Sequence, residues 1–144
     1  MFNVTWTDGR IAQIDGTSVV RIRRAVIGEG GATRIDLSGG RYQLVAESPE
    51  SVAKMAAAEL KSLTSVRDTD KGRVWFNAKG VIGPVYVNPY ERKDTAIQSA
   101  LLIFAPRREY TADTASEVAK SILDAGGSPQ PLPKFVVMAI TVWV

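Results

Sequence analysis

One pattern in this chain recurs 66 positions later, and it constrains the fold more than any other feature. Residues 41–54 read RYQLVAESPESVAK and residues 107–120 read RREYTADTASEVAK. Arg41, Ala46, Val52, Ala53 and Lys54 recur as Arg107, Ala112, Val118, Ala119 and Lys120, while Glu47 becomes Asp113 and Ser48 becomes Thr114. Upstream, ATRIDLSGG has its counterpart in SALLIFAP at the same offset. Further upstream the offset shortens to 62, pairing AQID (residues 12–15) with VWFN (residues 74–77), and Val19-Val20 with Val81-Ile82. The four-residue difference falls between the third and fourth strands, where a hairpin loop lengthens without touching a core. A repeat of this size implies one supersecondary unit used twice.

In the first copy Phe2, Val4 and Trp6 alternate with polar residues, the period of a half-buried strand, and Asp8-Gly9 supplies a hairpin turn. Strands are expected over residues 11–15, 18–27, 33–37 and 41–46, punctuated by Gly28, Gly30, Gly31 and Ser38-Gly39-Gly40. Ser48 then caps a helix with Pro49 at its first position. Val52, Met55, Ala56, Leu60 and Leu63 share one face of that helix, which should cover the sheet. The second copy starts at Arg73 and ends in a better-capped helix. Thr114 and Glu117 are spaced as a capping box, Val118, Ala119, Ile122 and Ala125 form the apolar face, and Gly126-Gly127 stop it.

The expected fold class is therefore α+β, an internal duplication of about four antiparallel strands plus one helix, with an extra strand at each end. Residues 1–64 form the first unit, 65–71 a polar linker, 72–127 the second unit, and 128–144 a proline-rich connector with a final strand. Nothing before Arg73 reads as a counterpart of the first strand, so its place in the second copy is expected to be vacant. The C-terminal strand, with Phe135, Val137, Ile140 and Trp143, is apolar on both faces and is expected to fill that place. Same-chain closure is the simpler route, and exchange with a neighbouring chain is the alternative.

The chemistry is sparse. The chain has 144 residues, of which 45% are hydrophobic and 23% charged, a normal balance for a globular protein. It contains no histidine and no cysteine, which removes the usual general base, the thiolate nucleophile and most transition-metal sites. Asp68 and Asp70 could face a hard cation, but they lack the further acids of a calcium loop and read as a solvated turn. Glu47 and Asp113 precede the two helices, where a carboxylate suits the helix dipole. Gly28-Glu29-Gly30-Gly31 lacks the Lys-Ser/Thr of a phosphate loop and precedes a strand. No stretch approaches the ~20 apolar residues that span a bilayer, and the N-terminus does not read as a secretion signal.

Partner signals come from two places. Arg21 and Arg23 share a face of the long strand, and Arg34 can join them across the ladder, a surface able to grip phosphates. Asp36 alternates onto the same face as Arg34 and weakens its field. The inserted loop, residues 87–95, carries Tyr90, Arg92 and Lys93, residue types common at interfaces. A net charge of +3, spread among acids, permits nucleic acid without arguing for it. The expectation is a non-enzymatic structural or assembly protein without cofactor, a virion component in the manner of a phage capsid cement or decoration protein. It would act on itself or on capsid subunits, in a virion or, if not viral, in the cytoplasm. A nucleic-acid module using the arginine face is the alternative.

Overall fold

The computed structural model describes residues 1–132, and within them the chain is α+β. The first unit runs β1 (Phe2–Thr5), β2 (Ile11–Ile14), a 3-10 turn (Gly16–Ser18), β3 (Val19–Arg24), β4 (Thr33–Leu37), a second 3-10 turn (Ser38–Gly40), β5 (Tyr42–Val45) and α1 (Pro49–Glu59). The second runs β6 (Leu63–Arg67), β7 (Arg73–Asn77), a 3-10 turn (Ala78–Gly80), β8 (Ile82–Val85), β9 (Ser99–Leu102), β10 (Glu109–Thr111) and α2 (Ala115–Asp124).

The repetition extends to individual hydrogen bonds. Asp15 caps the first 3-10 turn by accepting from the Thr17 N–H, and Asn77 caps its counterpart by accepting from the Lys79 N–H, both at 3.0 Å. The Thr33 hydroxyl donates to the Glu47 carbonyl and the Ser99 hydroxyl to the Asp113 carbonyl, both at 2.6 Å. Glu47 accepts from the Thr5 N–H at 2.8 Å, and Asp113 from the Arg67 N–H at 3.1 Å. Burial pushes the Glu47 carboxyl up, but the hydrogen bonds from Thr5 and from its own N–H together leave the group below its ordinary value. These acids tie the strand at the front of each unit to the loop before its helix.

Two expectations are corrected. β6 occupies the place that the sequence reading left vacant before Arg73, so residues 65–67 of the supposed linker are strand. LTSVR carries a single fully buried apolar residue, Val66, and its short polar-rich pattern gives little alternation to read. For the same reason Leu63 does not belong to the helical face: α1 ends at Glu59 with Leu60 as its cap, and Leu63 pairs with Asn77.

The strands are ordered β1-β2, β5-β4-β3-β7-β6 and β10-β9-β8, all antiparallel. Two matching hydrogen bonds bridge the gaps: Ala46 N–H to the Thr5 carbonyl at 2.8 Å, and Ala112 N–H to the Arg67 carbonyl at 2.9 Å. The ten strands thus follow one order, β2-β1-β5-β4-β3-β7-β6-β10-β9-β8. The units meet in the middle, where β3 pairs with β7 through Arg21 opposite Phe76 and Ile22 opposite Trp75.

Each unit has its own core. Val4, Val19, Ile22, Ile35, Val45, Val52 and Ala56 fill the first, with Leu63 and Trp75 of the second unit packed against it. Val66, Val74, Phe76, Leu101, Val118 and Ile122 fill the second. A Cβ on Gly127 would collide with the Ala78 carbonyl, so only glycine lets the chain after α2 lie this close to the 3-10 turn that follows β7. No helix among the described residues is long and apolar enough to cross a membrane.

Candidate interaction surfaces

The arginine face exists, but its charge is spent internally. Arg23 stands directly opposite Arg34 on the β3–β4 ladder, and Arg21 opposite Asp36. Arg21 is buried. Its Nε meets Asp36 at 2.8 Å, its Nη1 meets Glu109 at 3.0 Å, and its guanidinium lies 4.8 Å from the Phe104 ring. Arg34 meets Asp36 at 2.9 Å and Glu29 at 3.0 Å, over the Tyr42 ring. Arg23 grips Glu29 with both terminal nitrogens, at 2.9 and 3.0 Å. Three guanidiniums thus face three carboxylates. The Arg23 bonds, helped by the Val26 N–H and Arg34, hold the Glu29 carboxyl down at about 2 despite burial. Glu29 and Glu109 were not visible as partners in the sequence: one sits in a glycine turn, the other lies 88 positions from Arg21 in the other unit.

Beside this network, Arg41 and Arg107 are exposed and, with Phe104, line a shallow cleft of about 200 Å³. They are equivalent positions of the two units, so the repeat brings its own matched arginines together.

The equivalent hairpins β3–β4 and β8–β9 carry apolar side chains outward. In the first, Val26 is largely exposed and Ile27 fully so. In the second, Tyr90 is 92% exposed. Glu91 organises this longer loop, accepting from the Asn88 side chain at 2.9 Å and the Tyr110 hydroxyl at 3.0 Å, with Arg108 at 3.4 Å. Burial, reinforced by that bond to Glu91, pushes the Tyr110 hydroxyl above its ordinary pKa. Arg92 reaches the Gln98 carbonyl at 3.5 Å, and the Lys93 N–H bonds the Glu91 carbonyl at 2.9 Å. All three loop residues singled out in the sequence, Tyr90, Arg92 and Lys93, are exposed. Glu91, the organiser, carried no signal because two of its partners, Arg108 and Tyr110, lie at a later strand.

Val26 and Ile27 also line a groove of about 700 Å³ between the units, with Arg24 and Pro49 on one side and Asp68 and Arg73 on the other. Burial raises the Asp68 carboxyl above its ordinary value. Asp68 accepts from the Thr69 N–H at 2.7 Å, and Asp70 accepts from the Gly72 N–H at 3.0 Å and pairs with Arg24 at 2.7 Å. Both acids therefore shape the β6–β7 turn. Among the described residues no group of three carboxylates is placed to hold a metal ion.

The strand expected to mediate assembly, with Phe135, Val137, Ile140 and Trp143, lies outside the described residues. No family model, curated protein or solved structure matches this chain.

Proposed function

We propose that the chain is a non-enzymatic structural protein that works through protein–protein contacts, with itself or with the subunits of a particle. A virion component of the capsid cement or decoration type is the setting that suits it. The observation that carries this reading is the outward display of Val26, Ile27 and Tyr90 on equivalent hairpin tips. Apolar and aromatic side chains displayed at hairpin tips are the kind of surface that a protein partner covers, returning the free energy of their exposure to water.

Nucleic-acid binding ranks second. A phosphate reaching Arg21, Arg23 or Arg34 must displace Asp36, Glu109 or Glu29, and the first two face a buried guanidinium. Arg41 and Arg107 at the cleft are the specific observation in its favour.

Sedimentation velocity across a wide concentration range, alongside binding of fluorescent DNA and RNA oligonucleotides at low and high salt, separates the two. The assembly reading expects reversible larger species that Ile27→Asp shifts to higher concentration, and no oligonucleotide binding. A chain that stays monomeric, binds oligonucleotides at low salt and releases them at high salt would overturn it.

A further inference from the structure

The ten-strand order has two ends, β2 and β8, and they differ. β7 is paired on both sides, with β6 and with β3. Its counterpart β2 is paired with β1 alone among the described residues. The direction of its backbone groups follows from the ladder. The Thr5 carbonyl accepts from Ala46, and the Thr5 N–H donates to Glu47. Neither group is therefore used on Ile11 opposite, and by the antiparallel alternation the pair Asn3–Gln13 is also a non-bonded one. The N–H and C=O groups of Ile11 and Gln13 consequently face away from β1. The same positions in β7 are Arg73 and Trp75, and Trp75 faces Ile22 of β3. Among the described residues β2 thus presents an unpaired acceptor edge where the second unit has a paired one, and the Ile11 side chain on it is 72% exposed.

The β8 end is not its complement. Pro84 has no N–H, the Gly83 carbonyl accepts from the Gln130 N–H at 2.7 Å, and the Tyr86 carbonyl accepts from Arg108 at 2.6 Å. A strand edge so engaged is poorly suited to extend a ladder. The chain that leaves α2 through Gln130, however, leads into residues 135–144, FVVMAITVWV, uncharged and rich in β-branched residues. It leaves at the opposite end of the strand order from its own β2.

We infer that the β2 edge receives residues 135–144 of a second copy of this chain, so that copies associate head to tail by strand addition. This rests on the assembly reading and names its partner and surface. The vacancy is thus in the first unit, not the second. An uncharged donor, apolar on both faces, suits an edge whose side chains point alternately to the core (Ile14) and outward (Ile11). The contact is heterologous, since the donor and acceptor surfaces differ, and it builds rings or filaments.

The test uses full-length chains. Gln13→Pro removes an edge N–H that β1 does not use, and Ile11→Lys places a charge on the same edge without touching the backbone. Val137→Asp with Ile140→Asp disables the donor. Each acceptor variant and the donor variant, checked for wild-type melting, should be monomeric where wild type associates. A mixture of an acceptor variant with the donor variant should form a one-to-one dimer, because each supplies what the other lacks. Wild-type association by both acceptor variants, a monomeric wild type, or monomeric variants that fail to pair when mixed would overturn the proposal. Failure here with association still sensitive to Ile27→Asp would leave the assembly reading standing on the hairpin tips.

Discussion

Glu29 sits in a glycine-rich turn, yet it closes the arginine network by holding Arg23 and Arg34 together. Its carboxyl is depressed from 4.5 to about 2, so folding favours the ionised form. The stability this contributes is fully present above about pH 4.5 and is lost as pH falls through about 2. Denaturant titrations across that window should show wild type losing stability on acidification. Glu29→Gln should be less stable at neutral pH and should lack that part of the slope. Equal slopes would mean that the carboxyl is not held by its arginines. At the same scale, Arg21 was chosen in the sequence for its charge and turns out to be a buried structural residue. The strand pattern places a side chain on a face, but cannot say which carboxylates converge on it from another strand.

Helix ends are where local sequence rules translate most directly into geometry. Ser48 accepts from the Ser51 N–H at 3.2 Å with Pro49 at the first position, and Thr114 with Glu117 forms the full reciprocal capping box. Thr114→Ala should therefore destabilise the protein by about 1 kcal/mol, read from the midpoint of urea unfolding. Ser116→Ala, at an exposed position of the same turn, should change it little. The hairpins are equally local: Gly9, with φ of 89°, and Asp8, whose carboxylate accepts from the Arg10 N–H, close the β1–β2 turn expected from Asp-Gly. β6 escaped because it is held by pairing. Val66 lies opposite Val74, and a strand with one buried apolar residue announces itself only once its partner is known.

At the scale of the whole molecule, the units are fused by the β3–β7 ladder and by the ion pair of Arg21 with Glu109, and Leu63 and Trp75 of one unit pack on the core of the other. Unfolding by denaturant should accordingly be a single transition by far-ultraviolet circular dichroism and tryptophan fluorescence alike. Arg21→Ala, which leaves the buried Asp36 carboxylate to Arg34 alone and takes the arginine from Glu109, should lower stability by about 1–3 kcal/mol. Two separated transitions, or a loss near that of a surface arginine, would show the junction to be weak.

The α+β class, the helix caps and most hairpins could be read from the amino-acid sequence because each depends on contacts among near neighbours: a cap three residues from its N–H, a turn two residues long, an alternation within one strand. The shared sheet, the presence of β6, the neutralisation of the arginine face and the β2 edge left unpaired among the described residues were decided only by tertiary structure. Each depends on which strand lies beside which, and on groups brought together from up to 88 positions apart. Backbone hydrogen bonds carry no residue code, so the periodicity that reveals a strand leaves its neighbours undetermined.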